Sequence, residues 1–592
     1  GLEAYQPRGT QLNIFWGISH PDTVTPEEYD RYQGIFVASA SYAELLQILL
    51  NRPVHTLWQC TDTTRFAPPA PNNEPLGSSP EHGIFIGNSR KEYRQIVRWA
   101  VEAGLPLDVI GQDWENYISS DNILAKNAPN TSLASYYGTA AFVLNDHWHS
   151  MRDFGFVSNR VFDVLAAGGQ LISDRLPSVE RLFGEAVISV SGAAELQKIV
   201  DKGAMKRSPD QRRTLAKTVH EQHSFDRRAA TLIEWVKAHV APKAISDSIS
   251  ATAGDEEALP KRTRVGVLAP WSDPQRMGST IERIVAPLTI DRVAAEIQII
   301  QIETAEDCRA ADVSALVISA PDFAPDQALI AAVRGRSDQG LPVYIDCKSG
   351  PLATGWGQLA EEYTEIWCHD DTTCALWPNG SARTVKARID PRIWRRYRRP
   401  RVIETTAGAV RLLVIYEGGQ DEASIAKLNA LVRLLDRLEQ TDFNQISLEI
   451  VGAEAAQLDE RPWLQCTPWP DNCTNYFRKA RWLLDNSFAD IGIITEADSD
   501  QRLLQFMALG MAPIALPSTA CGIMRDPSIE KLVEVSENDN RFLLNLLTLW
   551  EEPESLLDRR KAAFDCVWQS FSTLNDDDQN LSDILTGIVS PK

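Results

Sequence analysis

Arg160 and Asp163 stand three residues apart, directly after the polar turn Ser158–Asn159, within "MRDFGFVSNRVFDVLAAGGQLISD" (Met151 to Asp174). Placed on a helix, Val161, Val164 and Leu165 form one apolar stripe, while Arg160, Asp163 and Ala167 share another face. Gly168 and Gly169 then end the helix and let the chain turn into the apolar run "QLIS". A helix N-terminus offers unpaired N–H groups and a partial positive charge, a setting suited to a diphosphate. There Arg160 could clamp a phosphate through two parallel hydrogen bonds. Asp163, one turn on, could accept from ribose hydroxyls. The same two residues also read as an exposed i,i+3 ion pair worth roughly 0.2–0.5 kcal/mol. Spacing alone leaves both readings open.

Such a helix needs a sheet behind it, and apolar β-rich runs alternate with helical segments along nearly the whole chain. "LNIFWGI", "GIFVAS", "GIFIG", "LDVIG", "AFVLN" and "GQLIS" come first, and "RVGVLAP", "ALVISA", "LPVYID", "RLLVIYEG", "SLEIVG" and "APIALP" later. Continuous apolar strands between helices predict parallel sheets covered on both faces, an α/β fold of tandem Rossmann-like domains. Residues 241–261, rich in Ala, Ser and acidic side chains, read as a linker. In open α/β sheets ligands lie beyond the carboxyl ends of the strands.

The two sides of the linker read as copies. "SYYGTAAFVLND" (Ser135–Asp146) matches "NYFRKARWLLDN" (Asn475–Asn486), and "NRVFDVLAAGG" matches "QRLLQFMALGM". This sets Arg160 against Arg502, Asp163 against Gln505 and Gly168 against Gly510. "NIFWGISHPD" then "YQGIFVAS" parallels "PVYIDCKSG" then "YTEIWCHD", and "DTTRF" (Asp62–Phe66) parallels "DPRIW" (Asp390–Trp394). Four matches in one order predict an internal duplication. The expected domains are 1–75 and 76–240 in the first copy, and 262–405 and 406–592 in the second. About 80 residues, Arg264 to Leu341, precede "PVYID", against about ten before "NIFWG". The first domain is therefore expected to be N-terminally incomplete.

At 592 residues the chain is too long for one core. A formal charge of −21 argues against a nucleic-acid partner, which needs clustered Lys and Arg. No apolar run reaches the roughly 18 residues of a membrane span, and the N-terminus lacks the regions of a signal peptide. The nine cysteines lack zinc-site spacing and read as free thiols of a reducing cytoplasm. His147-Trp-His149 has no carboxylate or cysteine framework that would make it a metal site.

Together "GNSRKEYRQIVRWAVEAGLPLDVIGQDW", "VLNDHWHSMRDFGFVSNRVFDVLAAGGQLISDRLPSVERLFG" and "HSFDRRAATLIEWV" resemble the nucleotide-sugar half of group 1 glycosyltransferases, and most of all their CgeB-like branch. The resemblance covers residues 11 to about 238 well and 264 to about 585 weakly. It implies the GT-B architecture, two Rossmann-like domains facing across a cleft with the donor held mainly by the second. The family's carboxylate at the start of the helix before the Ala-x-Gly corner falls on Asp163, implied to hold the donor ribose. An acid contacting the transferred sugar is usual eight positions earlier; that place is Gly155 here, and the nearest acid is Asp153. The phosphate-binding group falls on Arg160 or on Arg90, in the turn with Gly87 and Asn88 after "GIFIG". His20, closing "NIFWGISHPD", is implied to contact the transferred sugar, or else caps its turn. Asn145, Asp146 and His147 follow "AFVL" and rim the cleft, orienting nucleotide or acceptor, or serve as a plain turn.

The resemblance thus implies a metal-independent hexosyltransferase of a bacterial, cytoplasmic pathway of polysaccharide biosynthesis. It would need no cofactor, take a nucleotide-sugar as co-substrate, and use a glycan, lipid-linked or protein acceptor. Assembly with other glycan-synthesis proteins is a further expected partnership. The second copy, with Gln505 for the acid and Cys347-Lys348 for Ser19-His20, reads as divergent. Two rivals stand beside this reading. A non-catalytic glycan-assembly scaffold would explain the losses in the second copy. A nucleotide-dependent epimerase or dehydrogenase would share the sheets but lacks a Gly-x-Gly-x-x-Gly between strand and helix.

Overall fold

In a computed structural model the chain folds into two compact units. The first comprises Gly1–Val24, Glu28–Gln47 and Arg52–Pro260; the second comprises Thr25–Glu27, Ile48–Asn51 and Lys261–Lys592. The structure describes residues 6–575 except 8, 10, 70–80, 202–206, 241–261, 320–323, 348–354, 369–370, 378–381, 398–409, 418–421, 440–445, 455–456, 496–499, 518 and 520–521. The expected linker and Lys348 lie outside the described residues. Among the described residues the fold is α/β, with four parallel sheets flanked by helices.

The first unit holds a three-stranded sheet in the order β1 (Ile14–Gly17), β2 (Gly34–Val37), β3 (His55–Thr56). Its six-stranded sheet is built from β4 (Gly83–Ile86), β5 (Leu107–Ile110), β6 (Ile123–Ala125), β7 (Val143–Asn145), β8 (Leu171–Asp174) and β9 (Val187–Val190). Their order is β6-β5-β4-β7-β8-β9, so the winding reverses between β4 and β7 and opens a crevice at their carboxyl ends. The central strands are mostly apolar because both of their faces are buried. Ile84 joins Val143, Leu171 and Val187 against Val161 and Leu165 of the helix Asn159–Ala166, whereas Phe85 joins Leu144 and Ile172 against Ile96 and Val97 of the helix Gln95–Glu102.

Helix Asn159–Ala166 ends as its glycines demand. Gly168 takes φ 68°, its N–H donates to the Leu165 carbonyl, and the Gly169 N–H donates to Val164. Arg212, on the helix Pro209–Gln222, donates to the carbonyls of Gly168 and Gly138. The three-stranded sheet is covered by the helix Phe225–Val240, where the Trp235 ring lies so close to Gly34 that a Cβ there would sit 2.7 Å from it. Buried Arg228 on the same helix donates to the carbonyls of Trp58 and Gln59, tying the helix to the chain that leaves β3.

The second unit has two six-stranded sheets. One contains β10 (Thr263–Leu268), β11 (Ile297–Ile302), β12 (Ala315–Ser319), β13 (Val343–Cys347), β14 (Glu365–Cys368) and β15 (Ala382–Thr384), in the order β11-β10-β12-β13-β14-β15. The other contains β16 (Val410–Ile415), β17 (Ile446–Val451), β18 (Leu464–Thr467), β19 (Ile491–Ile494), β20 (Ala512–Ala515) and β21 (Glu534–Val535), in the order β18-β17-β16-β19-β20-β21.

That last order is the order of β4–β9, and the likeness extends to single hydrogen bonds. Thr61 pairs across the backbone with His223 and Phe225, as Ile389 does with Phe571 and Thr573. Arg560 grips the carbonyl of Gly510, whose φ is 74°, as Arg212 grips that of Gly168. One sequence match does not carry over. "WLLDN" lies in the helix Tyr476–Asn486, whereas its partner "FVLND" contains β7, and the strand in the place of β7 is β19, Ile491–Ile494. Leu-rich amphipathic helices and buried strands share composition, and only the aromatic pair was in register.

A close approach fixes one glycine in each six-stranded sheet of this order. The Gly111 N–H donates to Ala125, and a Cβ on Gly111 would lie 2.2 Å from the Gly87 carbonyl oxygen. Gly452 stands in the same relation to Tyr416, at 2.0 Å. Gly111→Ala is therefore expected to cost about 1–3 kcal/mol through displacement of the β4 turn. Thermal unfolding reads this directly, and an unchanged melting temperature would show that the turn yields freely.

Candidate functional site

The crevice between β4 and β7 collects the arginines. β4 delivers Gly87 and Asn88, and the chain then passes Ser89, Arg90 and Lys91 before the helix Gln95–Glu102. Arg90 and Lys91 take φ of 65° and 63°, a left-handed conformation that side chains rarely adopt. Ser89 pins the turn, since its hydroxyl donates to the Asp113 carbonyl and accepts from the Lys91 N–H. The strain has a visible result: the Arg90 guanidinium stacks 3.2 Å above the centroid of the Trp148 ring.

Arg94 is the N-cap residue of the helix Gln95–Glu102 and is only 4% exposed. Its fork grips both carboxylate oxygens of Asp146, and its third nitrogen donates to the Asn88 carbonyl. Arg160 reaches the same place from the first turn of Asn159–Ala166, donating to the Ile86 carbonyl at 2.7 Å. A Cβ on Gly87 would lie 3.2 Å from an Arg94 nitrogen and 3.4 Å from an Arg160 nitrogen. Burial, then Arg94 and also Arg160, depress the Arg90 guanidinium against the pull of Asp146. Three guanidiniums thus meet with Asp146 as the carboxylate among them, a site with positive charge to spare for an anion.

Asp163 makes no ion pair with Arg160. One of its oxygens accepts from the Thr61 hydroxyl at 2.8 Å, and the other accepts from the Asn159 amide at 2.7 Å. The carboxyl is 8% exposed, and burial pushes its pKa up to about 7. Ser158 is the N-cap by backbone conformation, without a side-chain bond to the helix, and Asn159 is exposed.

Asn145 and His147 turn inward. The Asn145 amide donates to the Ser173 hydroxyl, and the fully buried His147 ring meets Asp174 at 2.7 Å through Nδ1. Burial alone would raise Asp174, but the His147 contacts hold it below the ordinary carboxylate value. His149 accepts from Arg152 at 3.1 Å and does not share a partner with His147. His20 takes a left-handed φ of 52° at the N-cap of a short turn, contacts Ser19 at 3.0 Å, and has its ring centroid 6.0 Å from that of Trp148. Asp153 ends the five-residue helix His149–Asp153, 3.9 Å from the Arg152 guanidinium.

The structure thus gathers His20, Gly87, Asn88, Arg90, Asp146 and Arg160 around the crevice, whereas Asn145 serves the interior. Sequence reasoning missed Arg94, Trp148 and Thr61. "SRKEYRQ" shows its basic residues, but nothing in the spacing says that Arg94 is the buried one.

No curated protein sequence matches the chain. Among solved structures it is similar to a glycosyltransferase from Rickettsia africae, at 12% identity and TM-score 0.39, over 56% of this chain and 100% of that one. It is similar also to Anabaena HepE in complex with UDP and glucose, at 9% identity and TM-score 0.39, over 55% of this chain and 100% of that one. A third is MurG of Acinetobacter baumannii, at 13% identity and TM-score 0.31, over 55% and 99%. Residues 90–234 match the family described as glycosyl transferase-like, and this span, which holds Arg94, Asp146, Arg160 and Asp163, is similar to the domains of that family.

Proposed function

We propose that the first unit transfers a sugar, most simply a hexose, from a nucleotide-sugar donor to a glycan, lipid-linked or protein acceptor in bacterial polysaccharide biosynthesis. The observation that carries this reading is the trio Arg90, Arg94 and Arg160 at the sheet's reversal point, the last two against Gly87, inside the span similar to glycosyl transferase-like domains. A departing nucleoside diphosphate gains negative charge as the glycosidic bond breaks. Fixed guanidiniums and a helix N-terminus stabilise that charge electrostatically and need no metal to do so. Asp163 is proposed to hold the donor ribose, as the resemblance implies. Each of its oxygens accepts one internal bond and retains acceptor capacity for a hydroxyl. His20, near Trp148 and Arg90, is proposed to meet the transferred sugar, and Asp153 to lie near it.

The test is calorimetric titration of the full chain with UDP-, GDP-, dTDP- and CMP-sugars. One donor is expected to bind, about 10- to 100-fold more weakly in Arg160→Ala, and weakly or not at all in Asp163→Ala. Gln505→Ala is expected to leave it unchanged. Absence of binding by any of the four would overturn the reading in favour of a non-catalytic scaffold. That second reading draws on the second unit, where Arg502 lies 3.1 Å from the carboxylate of Glu417.

A further inference from the structure

The two sheets with reversed winding can be laid on each other bond by bond. The Gly87 N–H donates to Ile110 and the Tyr416 N–H to Val451, each at 2.8 Å. The Gly111 N–H donates to Ala125 at 2.9 Å and the Gly452 N–H to Thr467 at 2.8 Å. The glycines Gly111 and Gly452 press on the carbonyls of Gly87 and Tyr416. The residue after Gly87 is Asn88, and the residue after Tyr416 is Glu417. On the facing helices Arg160 corresponds to Arg502, since both helices end in a positive-φ glycine gripped by an arginine.

The difference between the crevices lies in what the arginine meets. Arg160 donates to a neutral backbone carbonyl, that of Ile86. Arg502 is engaged from within its own unit: one nitrogen donates to Gln505 at 2.5 Å, and another lies 3.1 Å from a Glu417 oxygen. The helix that follows β16 opens with Glu422, whereas Arg94 stands before the helix that follows β4. The Gln505 amide nitrogen donates in turn to buried Glu282 and to the Tyr476 hydroxyl, at 3.3 and 3.4 Å. Burial keeps Glu282 well above the ordinary carboxylate range, which leaves Glu417 as the charge opposite Arg502.

We infer that Glu417 is an internal stand-in for a phosphate, which closes the second unit's crevice to nucleoside diphosphates. The second residue after the matched strand, Asn88 after β4 in one unit and Glu417 after β16 in the other, decides which crevice accepts an anion. A diphosphate approaching Arg502 must displace a carboxylate held on the same chain, at high effective concentration and of the same sign as the ligand. This deepens the proposed function, on which it rests for the identity of the anion.

Inorganic pyrophosphate is the probe, titrated into the full chain at fixed ionic strength. The wild-type chain is expected to bind one equivalent, and Arg160→Ala to bind it about 10- to 100-fold more weakly. Arg160→Ala/Glu417→Asn is expected to recover one equivalent, about 10- to 100-fold tighter than the residual binding of Arg160→Ala. Two outcomes would overturn the inference. One is retention of a full equivalent at wild-type affinity by Arg160→Ala, since the second crevice would then be open already. The other is no binding by the double variant with its circular dichroism and melting temperature unchanged, since Glu417 would then not be what closes it. If the wild-type chain binds nothing while Glu417→Asn alone binds one equivalent, the inference stands and the proposed donor site of the first unit falls.

Discussion

Asp163→Asn is expected to remove a large pH dependence from the stability of the chain. The native carboxyl has a pKa of about 7 against an ordinary value of 3.8, because burial disfavours its ionised form. Between these values the folded state holds a proton that the unfolded state has released. The unfolded state then binds fewer protons, so stability falls as pH rises from about 4 to about 7 and is flat above. About three pH units at roughly 1.4 kcal/mol each give on the order of 4 kcal/mol. Asparagine cannot ionise and can keep a bond to Thr61 and one to Asn159. Denaturant unfolding of both proteins at pH 5 and pH 8 isolates the effect, because every other group cancels in the difference. The variant should gain on the wild type as pH rises, and equal pH slopes would show that Asp163 is ionised in the fold throughout.

Arg94→Ala should be the most damaging single change in the crevice. It strips both carboxylate oxygens of Asp146 of their partner and frees the Asn88 carbonyl, in a place where the arginine side chain is 2% and the aspartate 11% exposed. Removing one member of a buried pair typically costs about 3–5 kcal/mol, mostly through the charge left behind. Asp146→Ala in addition should therefore recover part of the loss. Arg94→Lys should not, because an ammonium cannot span two carboxylate oxygens and a carbonyl at once. A double-mutant cycle in denaturant measures the coupling. Additive losses would mean that the pair is held apart by water and that the three guanidiniums are less confined than their geometry indicates.

The central strands were legible because both of their faces are buried, which leaves apolar runs such as "GIFIG" with no polar interruption. Short edge strands such as His55–Thr56 and Glu534–Val535 carry too few residues for any pattern. The helix of Arg160 and Asp163 was legible from its stripe and its glycines, and its placement beside the crevice followed from strand order. The partners of those side chains were not. Whether Asp163 faces Arg160 or Thr61 depends on how the three-stranded sheet's domain packs against the helix, at a separation of 102 residues that no local spacing encodes. The same holds for Arg94, which local periodicity does not tell apart from its basic neighbours until Asp146 is seen beside it.

The helix Phe225–Val240 has a consequence for the order in which the first unit is made. It covers β2 and β3, and Trp235 meets His55 across 180 residues of sequence. The six-stranded sheet between Gly83 and Val190 contains its own crossover helices and can close on the ribosome once its last strand has emerged. The three-stranded sheet cannot, because the face under Trp235 stays open until the chain has been synthesised past it. Nascent chains arrested before residue 225 should therefore protect the larger sheet from protease and leave β1–β3 open to cleavage. β1–β3 are thus made before the larger sheet and sealed after it, and over that interval they are what a chaperone would hold.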